Sequence, residues 1–277
     1  MEMMSPDQLT TLGHPQRLAL FRLLMRRYPD RVPAGELALA MGVKASTMST
    51  YLAALLRCGL VRQDRSGTSL LYSIQMASVR QMFDFLFIDC CRGRPELCLS
   101  TSPGADPMSD RIYNVLFICV GNSARSIFAE SILRSLGGGR FNAYSAGTRP
   151  YSELNPFAMQ VLDDKRHDTS MLRSKNVSEF AGPDAPRMDF VFTVCDQAAN
   201  EECPAWEGQP ISGHWGMPDP VKAEGTDAQK ALAFQQAYGA LSRRIQAFTA
   251  LSIDNLDRVA LQGAVDEIGR SETGAPA

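Results

Sequence analysis

Apolar residues at helical spacing dominate the first 90 residues of the chain. Three helices are predicted, at Leu18 to Met25, Glu36 to Met41 and Lys44 to Cys58. Gly42 supplies a turn between the second and the third, which is the layout of a helix-turn-helix. From Gly59 to Ser73, apolar and polar positions alternate around a Ser-Gly tip, which predicts a β-hairpin wing. The pattern therefore predicts a mainly α winged helix-turn-helix domain over residues 1–98.

A second pattern, in which buried strands alternate with helices, follows a linker at 99–110 that is rich in small residues, Pro and Gly. Strands are predicted at 115–118, 142–146 and 188–195, and helices at 127–136, 156–162 and 228–251. Such alternation predicts an α/β domain over 111–253, for which we expect a four-stranded parallel sheet with its ligand at the carboxyl ends of the strands. The apolar pattern thins after residue 253, so 254–277 is expected to be a flexible tail.

Composition and charge narrow the class of protein. The chain has 277 residues, is 45% hydrophobic and 21% charged, and contains no apolar run long enough to span a membrane. Seven cysteines in a chain of this length fit reduced functional thiols, so we expect a cytoplasmic protein with no membrane partner. Residues 1–100 carry 12 Lys and Arg against 8 Asp and Glu, whereas the remainder carries 16 against 22. Only the front half is therefore expected to meet nucleic acid.

The segment after the first strand of the second domain has the composition of an anion-binding loop. A buried strand ends at Cys119, and Arg125 stands six residues later at the start of a helix. Backbone N–H groups in such a loop point inward and suit a tetrahedral anion, and Arg125 can bind two of its oxygens. The same positive environment favours the thiolate of Cys119, which is the nucleophilic form. The expected oxyanion-binding residues are Val120, Gly121, Asn122, Ser123, Ala124 and Ser126.

Two further thiols and one carboxylate complete the candidate chemistry. Cys195 ends another buried strand, so it is expected at the same sheet edge as Cys119. Cys203 lies eight residues further on, in a polar segment that could bring it to Cys195 to form a disulfide. Asp219 stands between two prolines and could act as a general acid. The alternatives are that Cys195 only caps its strand, that Cys203 is incidental, and that Asp219 is turn chemistry.

Together these residues resemble the arsenate reductases of the low-molecular-weight phosphatase fold, over Tyr113 to Ala250. The resemblance implies arsenate as substrate, Cys119 as nucleophile, Arg125 in the loop, Asp219 as acid, and Cys195 and Cys203 as relay thiols. It also implies thioredoxin, or glutaredoxin with glutathione, as reductant, no tightly bound organic cofactor, and a potassium ion near Glu130. Tyrosine phosphatases of the same fold usually carry a second loop cysteine and an aromatic residue after Asp-Pro. Ala124 and Val221 stand at those positions here.

The predicted third helix and the wing carry the candidate DNA contacts. Short polar groups on the helix suit base edges and phosphates, and two arginines lie on the wing. These residues are Ser46, Thr47, Ser49, Thr50 and Tyr51 on the helix, and Arg62 and Arg65 on the wing.

The front domain resembles the ArsR family of winged-helix repressors, over about Gln8 to Cys98. The resemblance rests on Leu12-Gly13-His14-Pro15-Gln16-Arg17-Leu18, Ser46-Thr47-Met48-Ser49 and Gly59-Leu60-Val61. It implies a homodimer that binds operator DNA, dimerises through the helix at 77–89, and releases DNA when a metal or metalloid binds. The candidate metal ligands are Cys90, Cys91 and Cys98, three soft thiols that suit arsenite as effector.

The sequence thus predicts an arsenite-responsive repressor joined to an arsenate reductase. Two other interpretations stay open. One is a low-molecular-weight protein tyrosine phosphatase joined to a transcriptional regulator. The other is a regulator whose second domain only senses an oxyanion.

Overall fold

The computed structural model describes residues 4–90 and 111–270, except 183, 202–205 and 207. They form two compact units, one on either side of residues 91–110. The predicted domain boundaries at 98 and 110 therefore fall outside the described residues.

The first unit is a helix-turn-helix with a β-hairpin wing, as predicted. Its helices are α1 (Met4–Leu12), α2 (Pro15–Arg26), α3 (Ala34–Ala40), α4 (Ala45–Arg57) and α5 (Met76–Phe85). Its strands are β1 (Val32–Pro33), β2 (Val61–Ser66) and β3 (Ser69–Ile74), which form an antiparallel sheet in the order β1-β3-β2. Gly67 has a φ of +59° at the wing tip, where a side chain would be strained. A π-helical turn, Leu86–Cys90, follows α5.

The apolar face of each helix forms the core of this unit. Met48, Leu52 and Leu55 of α4 are buried against Leu20 and Leu24 of α2. Burial of these side chains fixes which face of α4 remains outside, because residues four apart share a helix face.

The second unit is an α/β domain with a four-stranded parallel sheet in the order β5-β4-β6-β7. Its strands are β4 (Tyr113–Cys119), β5 (Phe141–Gly147), β6 (Phe190–Thr193) and β7 (Ile211–His214). Its helices are α6 (Arg125–Leu136), α7 (Pro156–Asp164), α8 (Asp196–Asn200), α9 (Asp227–Thr249) and α10 (Arg258–Arg270). Single 3-10 turns occur at Val177–Phe180, Pro220–Lys222 and Ile253–Asn255.

An aromatic cluster fills one face of the sheet. The rings of Phe192 and Trp215 stack with their centroids 4.0 Å apart, and Phe248 of α9 contacts both edge-on. Phe192 and Phe248 are fully buried, as is Trp215, which directly follows β7. The cluster therefore fixes the start of the loop that carries Asp219.

The flexible tail predicted over 254–277 is wrong for its first part, because residues 258–270 form α10. Leu261, Val265 and Ile268 are buried, and the Gln262 amide donates to the Ser212 carbonyl of β7 at 2.7 Å. Only three of the thirteen residues of α10 form its buried apolar stripe. A stripe this sparse predicts a packed helix only when the edge strand that it covers is known. Residues 271–277 lie outside the described residues.

No single helix among the described residues is long and apolar enough to cross a membrane. One bent pair, α3 with α4, passes that test jointly, on length and composition alone.

Candidate active site

The loop between β4 and α6 wraps around the sulfur of Cys119. The backbone N–H of Asn122 donates to Sγ at 3.1 Å, and Ser126 Oγ lies 2.9 Å from the same sulfur. Asn122 has a φ of 44°, a left-handed conformation that asparagine tolerates better than most residues. Two polar groups therefore converge on the sulfur.

Asn122 also anchors the loop to two distant segments. Its side-chain amide donates to Ser126 Oγ at 2.9 Å and to Ser145 Oγ at 2.8 Å, while its Oδ1 accepts from the backbone N–H of Lys175 at 2.7 Å. Asn122, Ser126 and Ser145 are all fully buried. The sequence does not reveal Ser145 or Lys175 as site residues, because neither lies near Cys119 in the chain.

Beneath this network lies the carboxylate of Glu130, which already has two cationic partners. Lys175 Nζ is 2.9 Å from its Oε2, and Arg134 Nη2 is 2.5 Å from its Oε1. The Ser145 hydroxyl donates to Oε2 as well. A buried ammonium thus already lies against Oε2, and the potassium ion expected near Glu130 stays a prediction.

Arg125 joins the anion loop to the loop that carries the candidate acid. Its Nη1 donates to the Met217 carbonyl at 3.1 Å, and its Nη2 lies 2.8 Å from Asp219 Oδ2. The other carboxylate oxygen, Oδ1, accepts from Val221 N at 3.2 Å and caps the short 3-10 turn there. The guanidinium is buried, so this ion pair is shielded from water more than a surface pair is.

Cys195 lies at the sheet edge predicted for it. Strands β4 and β6 are parallel neighbours, and Val194 N donates to the Ile118 carbonyl at 2.9 Å, so the chain leaves both strands side by side. The Cys195 sulfur caps α8 by accepting from Ala198 N at 3.4 Å. Burial raises the pKa of Cys195 to about 11, charge on Cys119 adds to the rise, and Arg125 opposes it. Cys203 lies outside the described residues.

A segment after β5 runs alongside the anion loop. Thr148 N and Arg149 N donate to the carbonyls of Cys119 and Val120 at 3.1 and 3.0 Å. The half-exposed ring of Tyr151 covers Gly121 so closely that a Cβ there would lie 2.5 Å from a ring carbon. Ser123 and Ala124 complete the buried part of the loop. The sequence does not single out this segment, because it has no recognisable motif.

The candidate DNA contacts lie on the outer face of α4 and on the wing. Ser46, Ser49 and Thr50 are exposed, whereas Thr47 and Tyr51 are partly buried. The hydroxyls of Ser49 and Thr50 donate to the carbonyls one turn earlier, at 2.9 and 3.1 Å. On the wing, Arg62 donates to Ser73 Oγ at 3.0 Å and Arg65 to the Gly67 carbonyl at 3.2 Å, and both are exposed.

Of the three candidate metal ligands, the structure describes one. Cys90 ends the π-helical turn after α5 and is exposed. Cys91 and Cys98 lie outside the described residues, so their convergence on one ion stays a prediction.

A parallel sheet with a cysteine-arginine anion loop at its carboxyl edge and an Asp-Pro loop opposite defines a cysteine-dependent enzyme of the phosphatase fold. Residues 114–259, more than half of the chain, match the family model of the low molecular weight phosphotyrosine protein phosphatase. The chain belongs to this family.

Two curated proteins with sequences similar to this chain are arsenate reductases. The arsenate reductase of Bacillus licheniformis is 36% identical over 135 residues, which are 48% of this chain and 93% of the relative. That of Halalkalibacterium halodurans is 34% identical over 134 residues, again 48% and 93% of the two chains.

For the front domain, residues 18–65 match the family model of the IclR helix-turn-helix domain. An ArsR-like transcriptional regulator from Rhodococcus sp. RHA1 is 20% identical with a TM-score of 0.30, covering 34% of this chain and 87% of that one. The family match at 18–65 and the order of α3, α4 and the wing show a helix-turn-helix, and the match is to the IclR type.

Proposed function

We propose that the protein is an arsenate reductase joined to a DNA-binding regulatory domain. The observation that carries the proposal is the placement of Cys119 and Cys195 at neighbouring strand ends, close enough for charge on Cys119 to raise the pKa of Cys195. A phosphatase needs one thiolate, whereas reduction of arsenate needs a second thiol at the same place. The names of the curated relatives support this choice.

The first step uses the anion loop. The Cys119 thiolate attacks the arsenic of arsenate held by the loop amides, and a sulfur–arsenic bond forms while an arsenic–oxygen bond breaks. Arg125 stabilises the negative oxygens, and Asp219, when protonated, gives its proton to the departing oxygen, which leaves as water. Arg125 Nη2 is 2.8 Å from Asp219 Oδ2, so the acid and the anion-binding group lie side by side.

The second step transfers two electrons. The Cys195 thiolate attacks the Cys119 sulfur, a disulfide forms, and the sulfur–arsenic bonding pair leaves with arsenic, so arsenate is reduced to arsenite. Cys203 then attacks Cys195, frees the Cys119 thiolate and leaves a Cys195–Cys203 disulfide. An external dithiol, thioredoxin or glutaredoxin with glutathione, reduces that disulfide.

A steady-state assay of arsenate-dependent reductant consumption tests the proposal, with thioredoxin and glutaredoxin systems compared in parallel. Cys119→Ser and Cys195→Ser should each lower turnover at least 100-fold. Cys58→Ala, which changes a buried cysteine of the other unit, serves as the matched control and should retain turnover within twofold. Arsenate reduction that survives in Cys119→Ser would contradict the mechanism. Turnover of an aryl phosphate without any need for Cys195 would favour the phosphatase alternative.

We further propose that the front domain is an arsenite-responsive repressor of the ArsR type and acts as a homodimer. The support is the exposed Cys90 at the end of the helical bundle, with Cys91 and Cys98 following in the sequence. Three thiolates suit trivalent arsenic, which is the product of the other domain. Arsenite should release operator DNA from the wild type and from Cys58→Ala, but not from a triple Cys→Ser variant at 90, 91 and 98. Equal release from all three proteins would contradict this.

A further inference from the structure

A buried arginine in α9 binds the loop that carries the candidate acid. Arg244 Nη1 donates to the carbonyls of Trp215 and Gly216, at 2.7 and 3.1 Å. Its Nη2 donates to the Gly269 carbonyl, at 3.2 Å. Only 6% of the residue is exposed, so these bonds form away from bulk water, where charge-assisted hydrogen bonds are strong.

The Gly269 carbonyl belongs to the last turn of α10, which is fastened to the same loop by a second contact. The indole N–H of Trp215 donates to the Val265 carbonyl at 3.3 Å. Helix and loop approach so closely at Gly269 that an added Cβ would lie 2.7 Å from the His214 carbonyl oxygen. Most of α10 lies beyond residue 259, where the family match ends.

Two guanidiniums therefore hold three consecutive carbonyls of this loop. Arg244 binds those of Trp215 and Gly216, and Arg125 binds that of Met217 and then pairs with Asp219. Prolines on either side of Asp219 restrict the backbone between these anchors. Fixing the loop at Trp215 and Gly216 thus limits where the Asp219 carboxylate can lie relative to the anion loop.

We propose that Arg244, with the carboxyl end of α10, is a positioning residue for Asp219 and Arg125. The inference rests on the proposed function, in which Asp219 supplies the proton to the departing oxygen. The carbonyl contacts of Arg244 lie on the loop that carries Asp219 and on α10, so Arg244 acts on the site through that loop. Without the Arg244 guanidinium, residues 215–217 shift, and the Asp219 carboxyl group no longer faces the departing oxygen.

The test is a double-mutant cycle between Arg244→Lys and Asp219→Asn, read by the kcat of arsenate reduction. Lysine keeps the charge but cannot span three carbonyls with one planar group. Arg244→Lys should lower kcat at least tenfold in the wild-type background and less than twofold in the Asp219→Asn background. The exposed neighbour provides the matched control, since Arg243→Lys should leave kcat within twofold in both backgrounds.

The comparison of the two backgrounds separates positioning from a general loss of structure. A positioning defect lowers kcat only where Asp219 is present, whereas a merely structural defect lowers kcat equally in both backgrounds. Equal losses in both backgrounds would overturn the proposal. Should Arg244→Lys fail to fold, Gly269→Ala displaces the end of α10 and takes its place in the cycle.

A second readout keeps the two proposals distinguishable. Inorganic phosphate should protect Cys119 from iodoacetamide in the wild type and in Arg243→Lys. Arg244→Lys should need at least fivefold more phosphate for the same protection, because Arg125 loses the anchored Met217 carbonyl. Unchanged protection would overturn the role of Arg244. Absence of arsenate reduction in the wild type, with the protection difference intact, would instead overturn the proposed function alone.

Discussion

Cys119 ends β4 and Cys195 follows the end of the parallel neighbour β6 by two residues, and charge on the Cys119 sulfur adds to the rise in the pKa of Cys195 that burial causes. Arg125 acts in the opposite direction and lowers the pKa of Cys195. In the proposed mechanism, bonding of the Cys119 sulfur to arsenic removes the charge that opposes ionisation of Cys195, which favours the second thiol step only after the first.

This coupling predicts how Cys195 reacts when Cys119 is absent. In Cys119→Ser, the pKa of Cys195 should fall, and its alkylation at pH 8.5 should become at least twofold faster because more thiolate is present. Peptide-resolved mass spectrometry after iodoacetamide treatment measures the rate at that one site. Cys58→Ala is the control and should leave the rate unchanged. A Cys195 rate that is the same with and without the Cys119 sulfur would show that the thiols are not coupled.

The raised pKa of Cys195 also predicts a loss of stability in alkali. Burial holds the thiol at a pKa of about 11 in the folded protein, above the ordinary cysteine value of 9.0, so the unfolded chain loses its proton first. The free energy of unfolding should therefore be unaffected below pH 9 and fall between pH 9 and 11, by on the order of 2 kcal/mol.

Urea unfolding at stepped pH measures this loss, and Cys195→Ala should remove it. Tyr113 provides the control, because burial raises its pKa to about 12 and its contribution falls in a higher pH range. Tyr113→Phe should leave the decline between pH 9 and 10 in place. A decline of the same size in Cys195→Ala would mean that another group causes it.

The buried ammonium of Lys175 predicts an enzyme that does not respond to potassium. Arsenate reduction should differ less than twofold between potassium and sodium salts, because Lys175 already neutralises Glu130. Lys175→Ala leaves a buried carboxylate with one cationic partner fewer, so it should destabilise the fold by about 3 kcal/mol. Lys165→Ala, at an exposed position, is the matched control. Potassium that stimulates the wild type several-fold would contradict the cation role of Lys175.

The wing predicts a salt-dependent contribution to DNA binding. Arg65 is exposed beside the wing tip, where it can meet a phosphate. Arg65→Ala should weaken binding to operator DNA and to random DNA to a similar degree. It should also reduce the slope of log affinity against log salt concentration by about one. Fluorescence anisotropy at several salt concentrations measures both quantities. Arg80→Ala on α5 is the control, and a slope that Arg65→Ala leaves unchanged would exclude a phosphate contact.

Much of the fold could be predicted because its signals are local. The glycine turn between α3 and α4, the alternation in the wing and the apolar run of β4 each lie within a few residues. Strand β7 carries no such local signal, because Ile211–His214 has a single large apolar side chain at its start and a glycine inside. Helix α10 has only a sparse apolar stripe, and this stripe is buried only because the helix packs on β7.

The sequence by itself determined the anion loop, since Cys119, Asn122, Arg125 and Ser126 stand within eight residues and the strand and helix on either side fix their geometry. Tertiary structure alone decided what surrounds it. Lys175 pairs with Glu130 from 45 residues away, and Arg244 reaches the Asp219 loop from α9, 25 residues further along the chain. The physical reason is that the conformation of a loop between adjacent elements depends on residues close together in the sequence. Buried charges, in contrast, acquire their partners only when distant segments pack together.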